Sequence, residues 1–147
     1  MTDTTLQRLD WLCQTIPPLL EAIGEEAFAF KPMPSKWSKK EILGHLIDSA
    51  TNNHQRFVRA QFEDTPAIGY NQNDWNKYSY YHQIDSKQLI RFWTSYNMQL
   101  LALLRQMPPH MFDRTCYAGS PEQVTLSFVA TDYVAHLEHH LRQLVDY

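Results

Sequence analysis

The sequence predicts an all-α fold: a four-helix bundle of up-down-down-up connectivity, with one long crossover connection between its second and third helices. Three observations carry this. Apolar residues recur at helical rather than alternating spacing in four stretches. Proline and glycine punctuate the ends of those stretches. One histidine in the second stretch and two in the fourth come level if those helices run antiparallel, which a simple up-down-up-down bundle does not allow.

The first helix is expected from about Thr4 to Ile23, with Leu6, Leu9, Leu12, Cys13, Ile16 and Leu20 on its apolar side. Pro17 and Pro18 should kink it or split it in two, because proline removes a backbone donor and crowds the preceding turn. Gly24 is a reasonable stop, and Phe30 to Trp37, with Pro32 and Pro34, is a connection that cannot be regular helix.

The second helix has the clearest start. Ser38-Lys39-Lys40-Glu41 reads as a capping box, in which Ser38 caps a free amide and Glu41 reaches back. Its apolar face runs through Ile42, Leu43, Leu46, Ile47, Ala50, Phe57 and Val58 to about Phe62. A third helix begins near Asp85, passes through Leu89, Phe92, Trp93, Tyr96, Leu100 and Leu104 to Met107, and stops at Pro108-Pro109. The fourth starts near Thr125 and carries Leu126, Val129, Val134, Leu137, Leu141 and Leu144 to the carboxyl end. The connections Glu63 to Ile84 and Pro108 to Val124 are long enough to have a function or a topological reason. The first can return along a whole helix, making helices two and three parallel. The second has room for short β-structure.

A chain of 147 residues, 44% hydrophobic and 20% charged, fits one soluble globular domain over residues 1–147. A net charge of −3 gives no basic field to hold nucleic acid. No apolar run is long enough to cross a bilayer, and Met1 to Cys13 lacks the pattern of a signal peptide. Cys13 and Cys116 match no disulfide or metal-binding framework, so a reduced, cytoplasmic protein is expected. Seven histidines and 13% aromatic residues stand out in the composition.

His136 and His140 are four apart, so on a helix they share one face and can share one metal ion. Metal sites that do chemistry commonly take three protein ligands and leave a position open. His45 is the best third ligand: it lies on the line His45, Ser49, Asn52, Arg56, a polar stripe beside the apolar face that needs partners when buried. Asp48 is placed to orient a ligand imidazole. His54, His82 and His110 are assigned to solvent, loops or ordinary hydrogen bonds, and His139 to the rim or the surface. The absence of HExxH and of Glu-x-x-His argues against a metalloprotease helix and a di-iron bundle.

These residues resemble the DinB/YfiT-like superfamily. The carrying segments are Lys36-Trp37-Ser38, Glu41 to Ser49, Asn52, Arg56-Phe57, and the closing run His136 to Leu144, so the similarity spans nearly the whole chain. The resemblance implies a four-helix bundle with the same crossover, a divalent ion (zinc or nickel) on His45, His136 and His140, and a homodimer. Characterised relatives include transferases that use bacillithiol, mycothiol or glutathione. It therefore implies a small-molecule substrate and a thiol-dependent S-transferase-like activity, with a low-molecular-weight thiol as second cofactor. A metal-dependent hydrolase, or a metal-binding or dimerisation protein without turnover, are the alternatives. Asp48 and His139 are the candidate acid–base groups, and Asn52, Gln72 and Trp75 the candidate pocket residues. Trp75 either lines the metal cavity or pins the crossover onto the bundle.

Overall fold

A computed structural model describes residues 3–147; the first two positions of the expected domain and of the amino-terminal stretch lie outside them. Among the described residues are six α-helices: α1 (Asp3–Glu21), α2 (Glu25–Ala29), α3 (Lys39–Arg59), α4 (Gln72–Tyr78), α5 (Ser86–Gln106) and α6 (Leu126–Leu141). A hairpin of β1 (Thr115–Tyr117) and β2 (Gln123–Thr125) sets Cys116 opposite Val124. The long helices α1, α3, α5 and α6 make the bundle, and their buried faces form one apolar core around Trp93, Leu46, Leu100 and Leu137.

The long helices α3, α5 and α6 each start on a side-chain cap. Ser38 Oγ accepts from the Glu41 amide at 3.1 Å while the Ser38 amide donates to Glu41 Oε1 at 3.2 Å, completing the expected capping box. Asp85 caps α5 through the Gln88 amide, and Thr125 caps α6 through the Phe128 amide.

Cross-helix pairs give the directions. His45, early in α3, meets His136, late in α6, while Phe57, late in α3, meets Tyr133 nearer the start of α6. Those helices are antiparallel. Asp48 is level with Tyr81, just ahead of α5, and His54 with Tyr96 further along it, so α3 and α5 run parallel. Asp10, early in α1, pairs at 2.6 Å with Arg105 at the end of α5. The connectivity is up-down-down-up.

The crossover is tied down by its polar neighbours. Arg56, buried on α3, donates from Nε and Nη2 to the Ile68 carbonyl at 3.0 and 2.9 Å. The Ile68 amide donates to the Tyr117 carbonyl, which links the crossover to the hairpin.

Four expectations need correction. Pro17 and Pro18 do not split α1; Ile16 and Leu20 are both fully buried on either side of the pair, and their packing holds one helix together despite two missing donors. The short helices α2 and α4 were not foreseen. Val58, Phe62 and Phe92, placed on apolar faces by spacing alone, are exposed. The last helix ends at Leu141, and the tail after it folds back so that the Tyr147 ring packs on Trp11. Among the described residues no helix is long and apolar enough to cross a membrane.

Candidate metal centre

His45 lies in the second turn of α3, where the Ser38 cap fixes the helix start and sets its phase. It is 1% exposed. His136 and His140 stand one turn apart near the end of α6. The antiparallel pairing brings the three rings together, with centroids 5.0 Å apart for His45–His136, 4.7 Å for His45–His140 and 4.6 Å for His136–His140. One nitrogen from each lies within 4.8 Å of the other two.

The donor set fits a transition-metal ion. Bonds of 2.0–2.1 Å in tetrahedral array put neighbouring nitrogens about 3.3 Å apart, and His45 Nε2 stands 3.2 Å from His136 Nε2. Burial, reinforced by the neighbouring imidazoles, lowers the pKa of His45 to about 3 and that of His136 to about 4. His140 is lowered too, by burial first. All three are neutral at pH 7, the form that binds metal.

The surroundings differ on two sides. The half-buried Trp37 lies over His45, centroid to centroid 5.1 Å. Beyond it is a cavity of about 360 Å³ lined by Ser35, Lys36, Trp37, Ile42, Gln72, Asn73 and Gln143. Gln143 also reaches the cluster, with Oε1 3.5 Å from His140 Nδ1 and Nε2 3.3 Å from His139 Nε2. His139 is exposed and packs edge-on against His140, centroid to centroid 4.9 Å.

On the inner side Asp48 is 2% exposed and accepts a short hydrogen bond from the Tyr81 hydroxyl. Burial pushes its carboxyl up to about 6 despite that bond. The other carboxylate oxygen, Asp48 Oδ2, is buried and has no hydrogen-bond partner in this structure. Asn52, also 2% exposed, donates to the Asp48 carbonyl at 2.9 Å and belongs to the buried stripe rather than to the cavity wall. Gln72 does line the cavity beside Trp37. Trp75 packs edge-on against Tyr70 at 5.6 Å, a contact within the crossover itself. His54 bonds Tyr96, and His82 and His110 stand apart from the cluster.

Three neighbours had no assigned part in the sequence reading. Trp37 stands in the sequence only as part of the Lys36-Trp37-Ser38 segment that carries the resemblance, Tyr81 only as one aromatic in a long connection, and Asp132 only as an acid one turn before His136, whose charge acts to raise the His136 pKa. The spacing of Asp132 could have found it. Nothing local could have found the other two, because their contacts are tertiary.

The chain has clear relatives. The sequence profile of the DinB superfamily matches residues 8–144. YfiT of Bacillus subtilis (strain 168), described as a probable metal-dependent hydrolase, is 28% identical over 112 residues, 75% of this chain and 63% of that protein. A protein of Bacillus pumilus (strain SAFR-032), named "Putative metal-dependent hydrolase", is 29% identical over 115 residues, with the same coverage. The chain thus spans less than two thirds of the length of these curated relatives. The structure of Bacillus subtilis YfiT, described as having an unusual four-helix bundle topology, superposes with a TM-score of 0.85 at 25% identity, covering 97% of this chain and 82% of that one. A mycothiol-dependent maleylpyruvate isomerase superposes with a TM-score of 0.80 at 11% identity over 97% and 60% of the two chains, a likeness of fold.

Proposed function

The chain belongs to the DinB superfamily, and we propose that it is a metal-dependent enzyme acting on a small molecule, with zinc or nickel held by His45, His136 and His140. The observation that carries this is the meeting of three neutral imidazoles from two helices 91 residues apart in sequence at their closest pair. A divalent ion with three nitrogen ligands and an open position lowers the pKa of a thiol or water bound to it and so supplies a nucleophile at neutral pH.

The residues around the cluster divide the remaining work. Trp37 covers His45 and keeps water from one side of the ring set. His139, exposed beside His140, is the group placed to carry a proton between the centre and solvent. Asp48 lies deeper, closed off by Tyr81, and is poorly placed for that task. Ser35, Gln72, Asn73 and Gln143 offer hydroxyl and amide groups, and Lys36 a cation, to whatever occupies the cavity.

Those groups match an amide-bearing, carboxylate-bearing thiol of low molecular weight, so a thiol-dependent transfer to an electrophile is the first reading. Hydrolysis is the second, favoured by the description of the Bacillus relatives. The experiment is turnover by untagged, metal-loaded protein of activated aryl halides and epoxides with a panel of thiols, against esters and lactones without thiol. Chelator-sensitive, thiol-dependent turnover supports the first reading. Chelator-sensitive turnover without thiol selects the second. No turnover in either arm leaves a binding protein and defeats both.

A further inference from the structure

Two buried polar atoms next to the cluster lack hydrogen-bond partners: His45 Nδ1 and Asp48 Oδ2. Their side chains are 1% and 2% exposed, so neither atom is satisfied by bulk solvent. An orphaned buried donor or acceptor is costly, and such groups are few in native proteins. These two stand three residues apart on α3, and residues at that spacing are neighbours on the helix surface.

They are also complementary. When Nε2 of an imidazole faces a metal, its proton resides on Nδ1, which becomes a donor. An ionised carboxylate oxygen is an acceptor only. One orphan therefore offers what the other lacks.

The fold spends a good deal on holding Asp48. The Tyr81 hydroxyl donates to its Oδ1. Gly44 makes room for that ring: a Cβ on residue 44 would lie well inside contact distance of three Tyr81 ring carbons. Tyr80, with φ 55°, takes the left-handed conformation that non-glycine residues seldom adopt, at the turn that delivers Tyr81. A strained turn and a glycine gap thus set one hydroxyl on one carboxylate, leaving the other carboxylate oxygen on the helix that carries His45.

We propose that Asp48, anchored by Tyr81, is the positioning residue for the metal ligand His45, taking the Nδ1 proton in a hydrogen bond when Nε2 is engaged by the ion. The bond fixes the tautomer and the ring plane and makes the nitrogen a better ligand. Gly44 and Tyr80 serve this arrangement rather than the core alone. The inference rests on the three-histidine reading above and adds two residues, Asp48 and Tyr81, to the centre.

The test is zinc affinity of untagged apo-protein, measured by competition with a chromophoric chelator, for wild type, Asp48→Ala, Asp48→Asn and Tyr81→Phe. Asp48→Ala should weaken zinc roughly 10- to 100-fold, as loss of an outer partner does. Asp48→Asn, which keeps an acceptor oxygen for Nδ1 and an amide for the Tyr81 oxygen, should recover most of that loss. Tyr81→Phe should fall between. Affinity in Asp48→Ala equal to wild type, or no recovery in Asp48→Asn, overturns the proposal. Should Asp48→Ala fail to fold, the His45 Nδ1–H proton resonance of zinc-loaded wild type and Asp48→Asn decides. A shift between the two supports the bond and an identical resonance overturns it. Wild type that binds no zinc at one per chain would defeat the three-histidine reading itself.

Discussion

His45 Nε2 and His136 Nε2 stand 3.2 Å apart across the contact of α3 with α6, one ring 1% exposed and the other half-buried. Two neutral imidazoles at that separation share an N–H···N hydrogen bond when one is protonated on Nε2, and offer two lone pairs to a shared cation when both are protonated on Nδ1. His136→Ala or His140→Ala should therefore abolish one-to-one metal binding in equilibrium dialysis while the far-ultraviolet dichroism stays helical. Full occupancy in either variant would contradict the assignment.

The Ser38 cap is separable from the metal. Its Oγ accepts from the Glu41 amide, and Glu41 is held in turn by Lys31 at 2.9 Å. Ser38→Ala should cost about 1 kcal/mol through the lost cap, read as a lower denaturation midpoint, with metal affinity nearly unchanged. An unaltered midpoint would mean that the cap does not anchor α3.

Gly44 gives a sign test. In an open helix interior, Gly→Ala stabilises by up to about 1 kcal/mol. Here the added methyl meets the Tyr81 ring, and overpacking of a buried contact costs about 1–3 kcal/mol. Gly44→Ala should be net destabilising in thermal unfolding; a raised midpoint would show that Tyr81 does not sit against α3.

Acid should weaken the metal-free protein. An unfolded histidine titrates near 6.5, whereas burial holds His45 at about 3 and His136 at about 4. Between those values the unfolded chain binds more protons, so stability is full above about 6.5 and lost as the pH falls towards 4. The slope is at most about 1.4 kcal/mol per pH unit for each ring. Asp48, raised to about 6, acts in the opposite sense between 6 and 4 and offsets part of this. Urea midpoints of chelated protein at pH 7.5, 6 and 4.5 should fall with acid, and less steeply in His45→Gln. Parallel profiles for the two proteins would contradict the buried neutral state of His45.

Residues with local rules were legible in the sequence. The capping box at Ser38 and Glu41, the i,i+4 pair His136 and His140, and the need for antiparallel α3 and α6 follow from helix geometry alone, and with them the crossover. What escaped depends on distant chain. Pro17-Pro18 look like a helix break until the burial of Ile16 and Leu20 is known. Phe92 has core spacing, yet it is exposed, because α5 turns its Trp93 and Asn97 side into the bundle, where both are fully buried. Trp37 on His45 and Tyr81 on Asp48 are made by segments with no helical period to reveal them.

X-ray absorption of the zinc-loaded, untagged protein reads the ligand set at the ion. A first shell of nitrogen and oxygen at about 2.0–2.1 Å with the outer-shell scattering of three imidazoles is expected, falling to two in His45→Ala. A sulfur shell near 2.3 Å in protein free of added thiol, or an imidazole count unchanged by removing His45, would contradict it.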